Sequence, residues 1–192
     1  MNRSVKLALG AIVAAMGFGV GISGPAHAVE LVTNGSFETG DFTGWTLTGN
    51  TGFTAVECPG APFAGPGDGN CDAFLGPVGS NGTISQTLAT TPGRFYSINF
   101  DFQPDGGTTS LFSATFGGTT LLNLSNPAAS AYQVLHFTGL ATAASTPLTF
   151  TFRDDPGFLK LDSVNVQVPE PGTMALLAIG MTGLLLRRRK TL

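Results

Sequence analysis

The central part of this 192-residue chain contains very few basic residues. Between residues 29 and 168 only Arg94, Arg153 and Lys160 oppose eleven acidic residues, so the net charge of this region is −8. Nucleic-acid binding needs clustered lysine and arginine to neutralise phosphates, so the composition excludes that class. It also excludes direct binding of an acidic polysaccharide unless a divalent cation bridges the two, whereas neutral glycans stay compatible with the charge.

Signatures of common catalytic sites are also missing. The chain has no G-x-S-x-G nucleophile pattern, no H-E-x-x-H zinc pattern and no phosphate-binding glycine loop. His136 is the only histidine of the central region, and no cysteine, serine or aspartate motif accompanies it. Asp154 and Asp155 belong to a turn pattern, whereas a glycosidase needs two carboxylates that face each other across a cleft. We therefore predict that the protein is not an enzyme.

Cysteine is scarce, since Cys58 and Cys71 are the only two in the chain. In an exported protein two such residues meet an oxidising compartment, so a disulfide is expected. The glycine- and proline-rich segment between them has no secondary-structure pattern of its own. In the chain-entropy model the bond would stabilise the fold by about 3 kcal/mol.

Helical periodicity is absent from the central region, and alternation with a period of two recurs instead. The clearest alternating segments are 84–88, 95–102, 112–116, 132–138 and 148–153. Glycine- and proline-containing turn signals separate them, and β-branched and aromatic residues dominate. The pattern predicts about nine to eleven short strands with one buried face each, and therefore an all-β domain with a single jelly-roll β-sandwich.

The last predicted strand changes its alternation. Leu159 and Leu161 share one face, whereas the valines of 164–168 have the opposite parity. A β-bulge at Asp162–Ser163 would explain the change and would give Asp162 an unusual orientation.

The N-terminus is typical of an export signal. Arg3 and Lys6 precede an apolar stretch from Leu7 to Ile22, and Ala26-His27-Ala28 is a small-x-small cleavage site. We predict a signal helix within a signal peptide over residues 1–28, which signal peptidase removes on the general secretory route. A transmembrane anchor is the alternative, but the small residues directly after the apolar run favour cleavage.

At the C-terminus a proline-flanked glutamate, an apolar run and a basic cluster follow one another. They are Pro169, Glu170 and Pro171, then Met174 to Leu186, then Arg187, Arg188, Arg189 and Lys190. As a helix the run covers about 20 Å of a hydrocarbon core of about 30 Å, which predicts a short transmembrane helix. Because basic residues stay cytoplasmic, the domain before Pro169 is expected on the outer side of the inner membrane.

This ordered tail resembles the PEP-CTERM sorting motif of exosortase substrates, which are surface proteins of Gram-negative bacteria that make exopolysaccharide. The resemblance covers about residues 168–190. It implies transient membrane insertion, processing by an exosortase near the Pro-Glu-Pro triplet, and a final location at the cell surface or outside the cell. A permanent single-pass anchor is the alternative.

Four short motifs follow one another in the central region. They are Asn34-Gly35-Ser36-Phe37-Glu38, Gly44-Trp45, Gly93-Arg94-Phe95-Tyr96 and Leu161-Asp162-Ser163-Val164. In order and spacing they resemble the galactose-binding-like jelly rolls of carbohydrate-binding modules. The resemblance implies a structural calcium ion near the junction of the first and last strands, with Glu38 and Asp162 as carboxylate ligands. The alternative is that Glu38 accepts hydrogen bonds in a turn and Asp162 caps the bulge.

Two aromatic side chains offer hypotheses for a sugar contact. Trp45, the only tryptophan, has a flat amphipathic ring that could stack on a sugar, although its motif favours a core position. Tyr132 lies in a more polar segment and is the second hypothesis. The sequence does not indicate a complete aromatic platform.

We therefore divide the chain into a signal peptide (1–28), a β-sandwich domain (29–167) and a sorting tail (168–192). The predicted function is that of an exported surface or matrix protein, with a non-catalytic module that binds carbohydrate or associates with exopolysaccharide in a biofilm matrix. The alternatives are a structural, adhesin-like matrix protein without glycan binding and a glycan-acting hydrolase. The expected partners are exosortase, signal peptidase and extracellular polysaccharide, and not nucleic acid.

Overall fold

The computed structural model describes residues 29–58 and 67–169. Within these ranges it contains ten β-strands and no helix. The predicted signal peptide and the tail from Glu170 onward lie outside the described residues, so the predictions about them stay predictions. Among the residues that are described, no helix is long and apolar enough to cross a membrane.

The strands form two five-stranded sheets that pack face to face. Their bounds are β1 (Thr46–Gly49), β2 (Thr54–Glu57), β3 (Asp72–Leu75), β4 (Gly82–Ala89), β5 (Phe95–Gln103), β6 (Ser110–Phe116), β7 (Thr119–Ser125), β8 (Gln133–Leu140), β9 (Ser145–Asp154) and β10 (Leu159–Gln167). Sheet I has the order β1-β4-β9-β6-β7, and sheet II has the order β2-β3-β10-β5-β8. All paired strands are antiparallel. This arrangement confirms the predicted all-β jelly-roll sandwich.

Alternating aromatic side chains fill the space between the sheets. Phe100 of β5 meets Phe150 of β9 edge to face, with ring centroids 5.1 Å apart. Phe102 of β5 stacks on Phe112 of β6 with centroids 4.1 Å apart. Each of these rings is buried, and burial of one such side chain contributes about 1.5–3 kcal/mol. The period-two pattern of the sequence is therefore the pattern of core contacts.

The turn formed by the first motif packs directly against the last strand. Phe37 has φ 55° and is fully buried, where its ring stacks on Trp45. A β-carbon at Gly35 would lie 1.9 Å from the backbone oxygen of Val164, so only glycine fits there. The Gly35 carbonyl accepts a 2.9 Å hydrogen bond from the Val164 N–H. These contacts hold the first motif against β10.

The expected irregularity of the last strand is a β-bulge. The pairing of β10 with β5 shifts between Asp162 and Asn165, and Ser163 has φ 52°. The extra residue allows Leu161 and Val164 both to face the core. Asp162 consequently lies on the outer side of sheet II at the kink.

Cys58 and Cys71 form the predicted disulfide. The bond joins the residue that follows β2 to the residue that precedes β3. Since β2 is an edge strand of sheet II, the disulfide fastens that edge to the rest of the sheet.

Candidate functional site

The outer face of sheet II carries a row of carboxylates. Glu57 of β2 lies opposite Asp72 of β3, and Asp162 of β10 lies opposite Asp101 of β5. Leu161 of β10 pairs with Ala73 of β3, so the next residues along, Asp162 and Asp72, also lie side by side. We call these four residues the acidic row. Asp72 and Asp162 have no exposed surface, so part of the row lies beneath other segments of the chain.

Lys160 lies on the same face and pairs with two acids of the row. Its Nζ forms an ion pair with Glu57 and lies 3.2 Å from Asp72 Oδ2. The three side chains are at most 9% exposed. Burial lowers the pKa of Lys160 to about 8 and raises the pKa of Asp72, whereas their mutual contact favours the charged forms. Loss of one partner would therefore leave an uncompensated charge in a buried site.

Tyr132 is attached to the acidic row through its hydroxyl. The hydroxyl donates a 2.7 Å hydrogen bond to Asp72 Oδ2. Burial, followed by this hydrogen bond, raises the pKa of Tyr132, so the phenol is neutral. The ring is half-buried because Gly67 lies against it, and a β-carbon there would be 3.3 Å from Tyr132 Cδ1. Tyr132, which the sequence offered as a sugar contact, therefore lies next to the acidic row. Its hydroxyl is already hydrogen-bonded to Asp72.

Asp162 accepts hydrogen bonds from two backbone N–H groups. Oδ1 accepts from Ser163 over 2.6 Å, and Oδ2 accepts from Asp68 over 2.8 Å. Burial raises the pKa of Asp162 to about 7, and the backbone hydrogen bonds oppose that shift. The contact with Ser163 is the bulge cap that the sequence left open as an alternative. The contact with Asp68 attaches the segment before β3 to β10.

Glu38 binds the same segment. Its Oε1 accepts hydrogen bonds from the N–H groups of Asn70 and Cys71, over 2.6 Å and 2.8 Å. These bonds lower the pKa of the exposed Glu38 carboxyl. A β-carbon at Gly69 would lie 2.3 Å from Oε1, so glycine permits the close approach.

The two predicted calcium ligands therefore both hold residues 67–71 through backbone N–H groups. A calcium ion generally takes six to eight oxygen ligands. In this structure, backbone N–H donors face Glu38 Oε1 and both oxygens of Asp162. In the described parts of the chain, no three or more His, Cys, Asp or Glu side chains are grouped so that they could hold a metal ion. The observed contacts match the hydrogen-bonding alternative, and calcium at these two residues stays a prediction.

Trp45 lies in the core. It is 7% exposed, and its indole N–H donates a 3.0 Å hydrogen bond to the Asn34 carbonyl. The ring packs against Phe37 and Phe150, with centroid distances of 5.8 Å and 6.1 Å. This position corrects the hypothesis of a sugar contact at Trp45, because the ring is committed to the interior.

The half of the outer face formed by β5 and β8 is more accessible. His136 is exposed, and its Nδ1 lies 2.7 Å from Asn99 Oδ1. Val134, which lies opposite Asp101, is 61% exposed. Phe95, at the start of β5, is 58% exposed, and β5 extends for about 26 Å from there. Polar groups therefore lie between exposed apolar side chains on this half of the face. We call this half the open strip.

A cleft of ≈ 440 Å³ opens between the first motif and the bulge. The polar residues that line it are Glu30, Asn34, Ser36, Asp68, Ser163 and Asn165. Among the described residues, Ser163 Oγ and Asn165 Oδ1 are buried without a hydrogen-bond partner. No aromatic residue lines the cleft, so it lacks the flat apolar surface on which sugar rings stack.

The sequence did not single out Asp72, a member of the acidic row, or Lys160, which pairs with it. A signal for Lys160 was present, because the alternation through Leu159–Asp162 places Lys160 and Asp162 on one face. Asp72 gave no comparable signal, because β3 has only four residues. Its partners Tyr132 and Lys160 are 60 and 88 residues away along the chain.

The C-terminal tail matches a known family model. Residues 167–190 match the PEP-CTERM protein-sorting motif. The motif indicates export and a surface or extracellular location in a bacterium, and it is typical of proteins processed by an exosortase. No curated protein matches the sequence.

Solved structures resemble the sandwich domain. TmCBM61, solved in complex with β-1,4-galactotriose, gives a TM-score of 0.58 at 15% identity, over 73% of this chain and 99% of that chain. A xylan-binding domain of carbohydrate-binding module family 22 gives 0.52 at 14% identity, over 73% and 96%. The enzymatically active domain of bacteriophage CBA120 tailspike protein 4 gives 0.56 at 19% identity, over 73% of this chain and 22% of that chain.

At these identities the likeness shows the fold alone. The chain therefore carries a PEP-CTERM sorting motif behind a β-sandwich with the jelly-roll fold of carbohydrate-binding modules.

Proposed function

We propose that the domain binds a neutral polysaccharide along the open strip of sheet II and holds it at the cell surface. The observation that carries this proposal is the strip itself, where Asn99 and His136 lie between the exposed side chains of Phe95 and Val134. Hydrogen-bonding groups and apolar surface on one rigid sheet are the combination that sugar rings require. The jelly-roll fold, which is shared with modules that bind galactan or xylan fragments, adds support.

The charge of the domain determines the class of glycan. Asp101 lies in the strip, and the other three acids of the acidic row extend from it across the sheet. Like charges repel, so a uronic-acid or sulfated polymer would bind there only through a bridging cation. A neutral glycan avoids this penalty and can donate its hydroxyl groups to the carboxylate of Asp101.

The proposed module is not catalytic. Asp101 and Asp162 lie side by side on neighbouring strands, and Asp162 is fully buried. They do not face each other across a substrate as the two carboxylates of a glycosidase do. A hydrolase would release reducing sugar from a bound polysaccharide, and that release would be lost on substitution of a single aspartate or glutamate. We expect no release.

The tail is proposed to be a transient anchor that exosortase removes near Pro169, Glu170 and Pro171. Its apolar run is short for a permanent span, and the domain ahead of it folds as one sandwich. Mass spectrometry of the surface form tests this step. A mature protein that ends near the triplet is expected, whereas retention of Arg187–Lys190 would show a permanent anchor.

A glycan array with the full-length chain, purified in detergent, tests the binding proposal. We expect binding to a neutral polysaccharide, with β-1,4-galactan and xylan as the first probes. Asn99→Ala and His136→Ala should each weaken binding about 10-fold, the equivalent of one lost hydrogen bond. The matched control is Thr151→Ala on the outer face of sheet I, which should bind normally. Absence of binding to every neutral glycan, or equal binding by all variants, would refute the proposal.

One observation favours a structural, adhesin-like role instead. Trp45 is buried and Tyr132 is half-buried with its hydroxyl paired, so neither provides a freely exposed ring. The same array decides between the two roles, since a structural spacer binds no glycan.

A further inference from the structure

A second acidic site lies at one end of the sandwich, away from the acidic row. Asp154 ends β9, where its side chain continues the inward row of Phe150 and Phe152. It is completely buried, and neither carboxylate oxygen has a hydrogen-bond partner among the described residues. An ionised carboxylate without a partner is strongly disfavoured in a protein interior. A bound cation or a proton must therefore neutralise it.

Asp105, in the loop between β5 and β6, brings a second carboxylate to Asp154. Backbone N–H groups fix it, since Oδ1 accepts from Gly107 over 2.8 Å and Oδ2 accepts from Phe158 over 2.9 Å. Burial and the adjacent Asp105 carboxyl raise the pKa of Asp154 to about 7. Two ionised carboxylates have no hydrogen to place between them, so the contact requires a cation or a proton.

Two glycines permit this contact. A β-carbon at Gly107 would lie 2.3 Å from Asp154 Oδ1 and 3.2 Å from Asp105 Oδ1. A β-carbon at Gly157 would lie 2.0 Å from Asp105 Oδ2. The backbone therefore approaches both carboxylates closely from the loop between β5 and β6, and approaches Asp105 also from the loop between β9 and β10.

Ser110 places a third side-chain oxygen on the same inner face as Asp154. It lies directly opposite Asp154 in the pairing of β6 with β9, and so faces the same interior. The residue is 2% exposed, and its hydroxyl also lacks a hydrogen-bond partner among the described residues. Arg153, the nearest cationic residue along the strand, points outward and pairs with Asp155 instead.

We propose that Asp105, Asp154 and Ser110 are the side-chain ligands of a calcium-binding site. Calcium takes six to eight oxygen ligands in flexible geometry, and carboxylates, hydroxyls and backbone carbonyls are suitable. Magnesium demands a regular octahedron with several waters, and zinc prefers histidine and cysteine, neither of which is present at this end. The site differs from Glu38 and Asp162 because neither oxygen of Asp154 accepts a hydrogen bond from the described residues, whereas Glu38 Oε1 and both oxygens of Asp162 accept from backbone N–H groups.

Calcium titration of the full-length chain in detergent at pH 8 tests the proposal, with isothermal calorimetry and thermal melting as readouts. We expect calcium to raise the melting temperature of the unsubstituted protein. Asp154→Asn should bind one calcium ion fewer, a loss of affinity of about 100-fold or more at this site. Because an amide removes the buried charge, Asp154→Asn in chelator should melt no lower than the unsubstituted protein in chelator.

Two further variants show whether the calcium ion binds at Asp154 or elsewhere on the domain. Asp162→Asn should keep the calcium ion at Asp154, whereas Ser110→Ala should bind it about 10-fold more weakly. The proposal is overturned if Asp154→Asn binds as much calcium as the unsubstituted protein. It is also overturned if calcium has no effect while acidification to pH 5 stabilises the protein, since Asp105 and Asp154 then share only a proton.

Discussion

The two outer faces of the sandwich are built by the same alternation but carry different chemistry. The outer face of sheet I presents mainly small hydroxyl side chains, which include Thr46, Thr48, Thr83, Ser85, Ser113, Thr115, Thr149 and Thr151. We call it the hydroxyl face. The outer face of sheet II contains Asp72, Lys160 and Asp162, none more than 5% exposed. Threonine and serine suit any solvated strand, whereas burial of charge is costly and has to be compensated.

The difference arises because described segments of the chain cover part of the outer face of sheet II. Residues 67–71 lie over the acidic row, where their N–H groups bind Asp162 and Glu38. The Tyr132 hydroxyl also lies against the row, where it donates a hydrogen bond to Asp72. The uncovered remainder of the face is the open strip, so the buried charges fix the covering segments at the border of the proposed binding surface.

The largest expected effect is at Lys160. Lys160→Ala leaves Glu57 and Asp72 buried without their cation, so the free energy of unfolding should fall by about 3–5 kcal/mol. Urea denaturation of the full-length chain measures this change. A loss below about 1 kcal/mol would show that water reaches the row, and the contrast between the faces would then be smaller than the structure indicates.

The next largest effect concerns the edge of sheet II. Replacement of both Cys58 and Cys71 by serine should lower the free energy of unfolding by about 3 kcal/mol, since the loop is no longer closed in the unfolded chain. Urea denaturation with and without reductant measures it, and the double variant should not respond to reductant. An unchanged denaturation midpoint in the variant would show that β2 is held to β3 by its backbone pairing alone.

A smaller effect is expected at Tyr132. Tyr132→Phe keeps the ring and removes the hydrogen bond to Asp72, which should cost about 1–2 kcal/mol because a buried carboxylate loses a donor. Thermal or urea denaturation gives the value. Unaltered stability would indicate that Asp72 is satisfied by Lys160 alone, and the role of Tyr132 would then be limited to packing.

The smallest effect is expected on the hydroxyl face. Thr151→Ala should change the free energy of unfolding by no more than about 0.5 kcal/mol, because its hydroxyl neutralises no buried charge. The measurement uses the same denaturation series as Lys160→Ala, for which it is the matched surface control. A loss comparable to that of Tyr132→Phe would remove the distinction between the two faces.

Much of the fold could be predicted from the sequence, because its signals are local. Alternation identified β5, β6 and β9, and the change of parity after Leu161 located the bulge. The disulfide followed from the presence of only two cysteines in an exported chain. The short strands β1, β2 and β3 were not located, since four residues are too few to show a period.

The candidate sites were predicted less completely. Glu38 and Asp162 were identified as special by their motifs, but the sequence left open whether they bind N–H groups or an ion. Lys160 was not identified, and the sequence pattern assigned Asp154 only to a turn. Both residues lie within or at the end of alternating strands, yet their significance depends on partners from other strands and loops.

By itself the sequence determined the fold class, the disulfide and the sorting motif, because each depends on neighbouring residues or on the order of short segments. Only the tertiary structure decided which of the acidic residues are buried, which of them Lys160 neutralises, and that Asp105 meets Asp154. The physical reason is that the energy of a charge depends on its solvent exposure and on groups a few ångströms away. Strand pairing brings those groups together from distant parts of the chain.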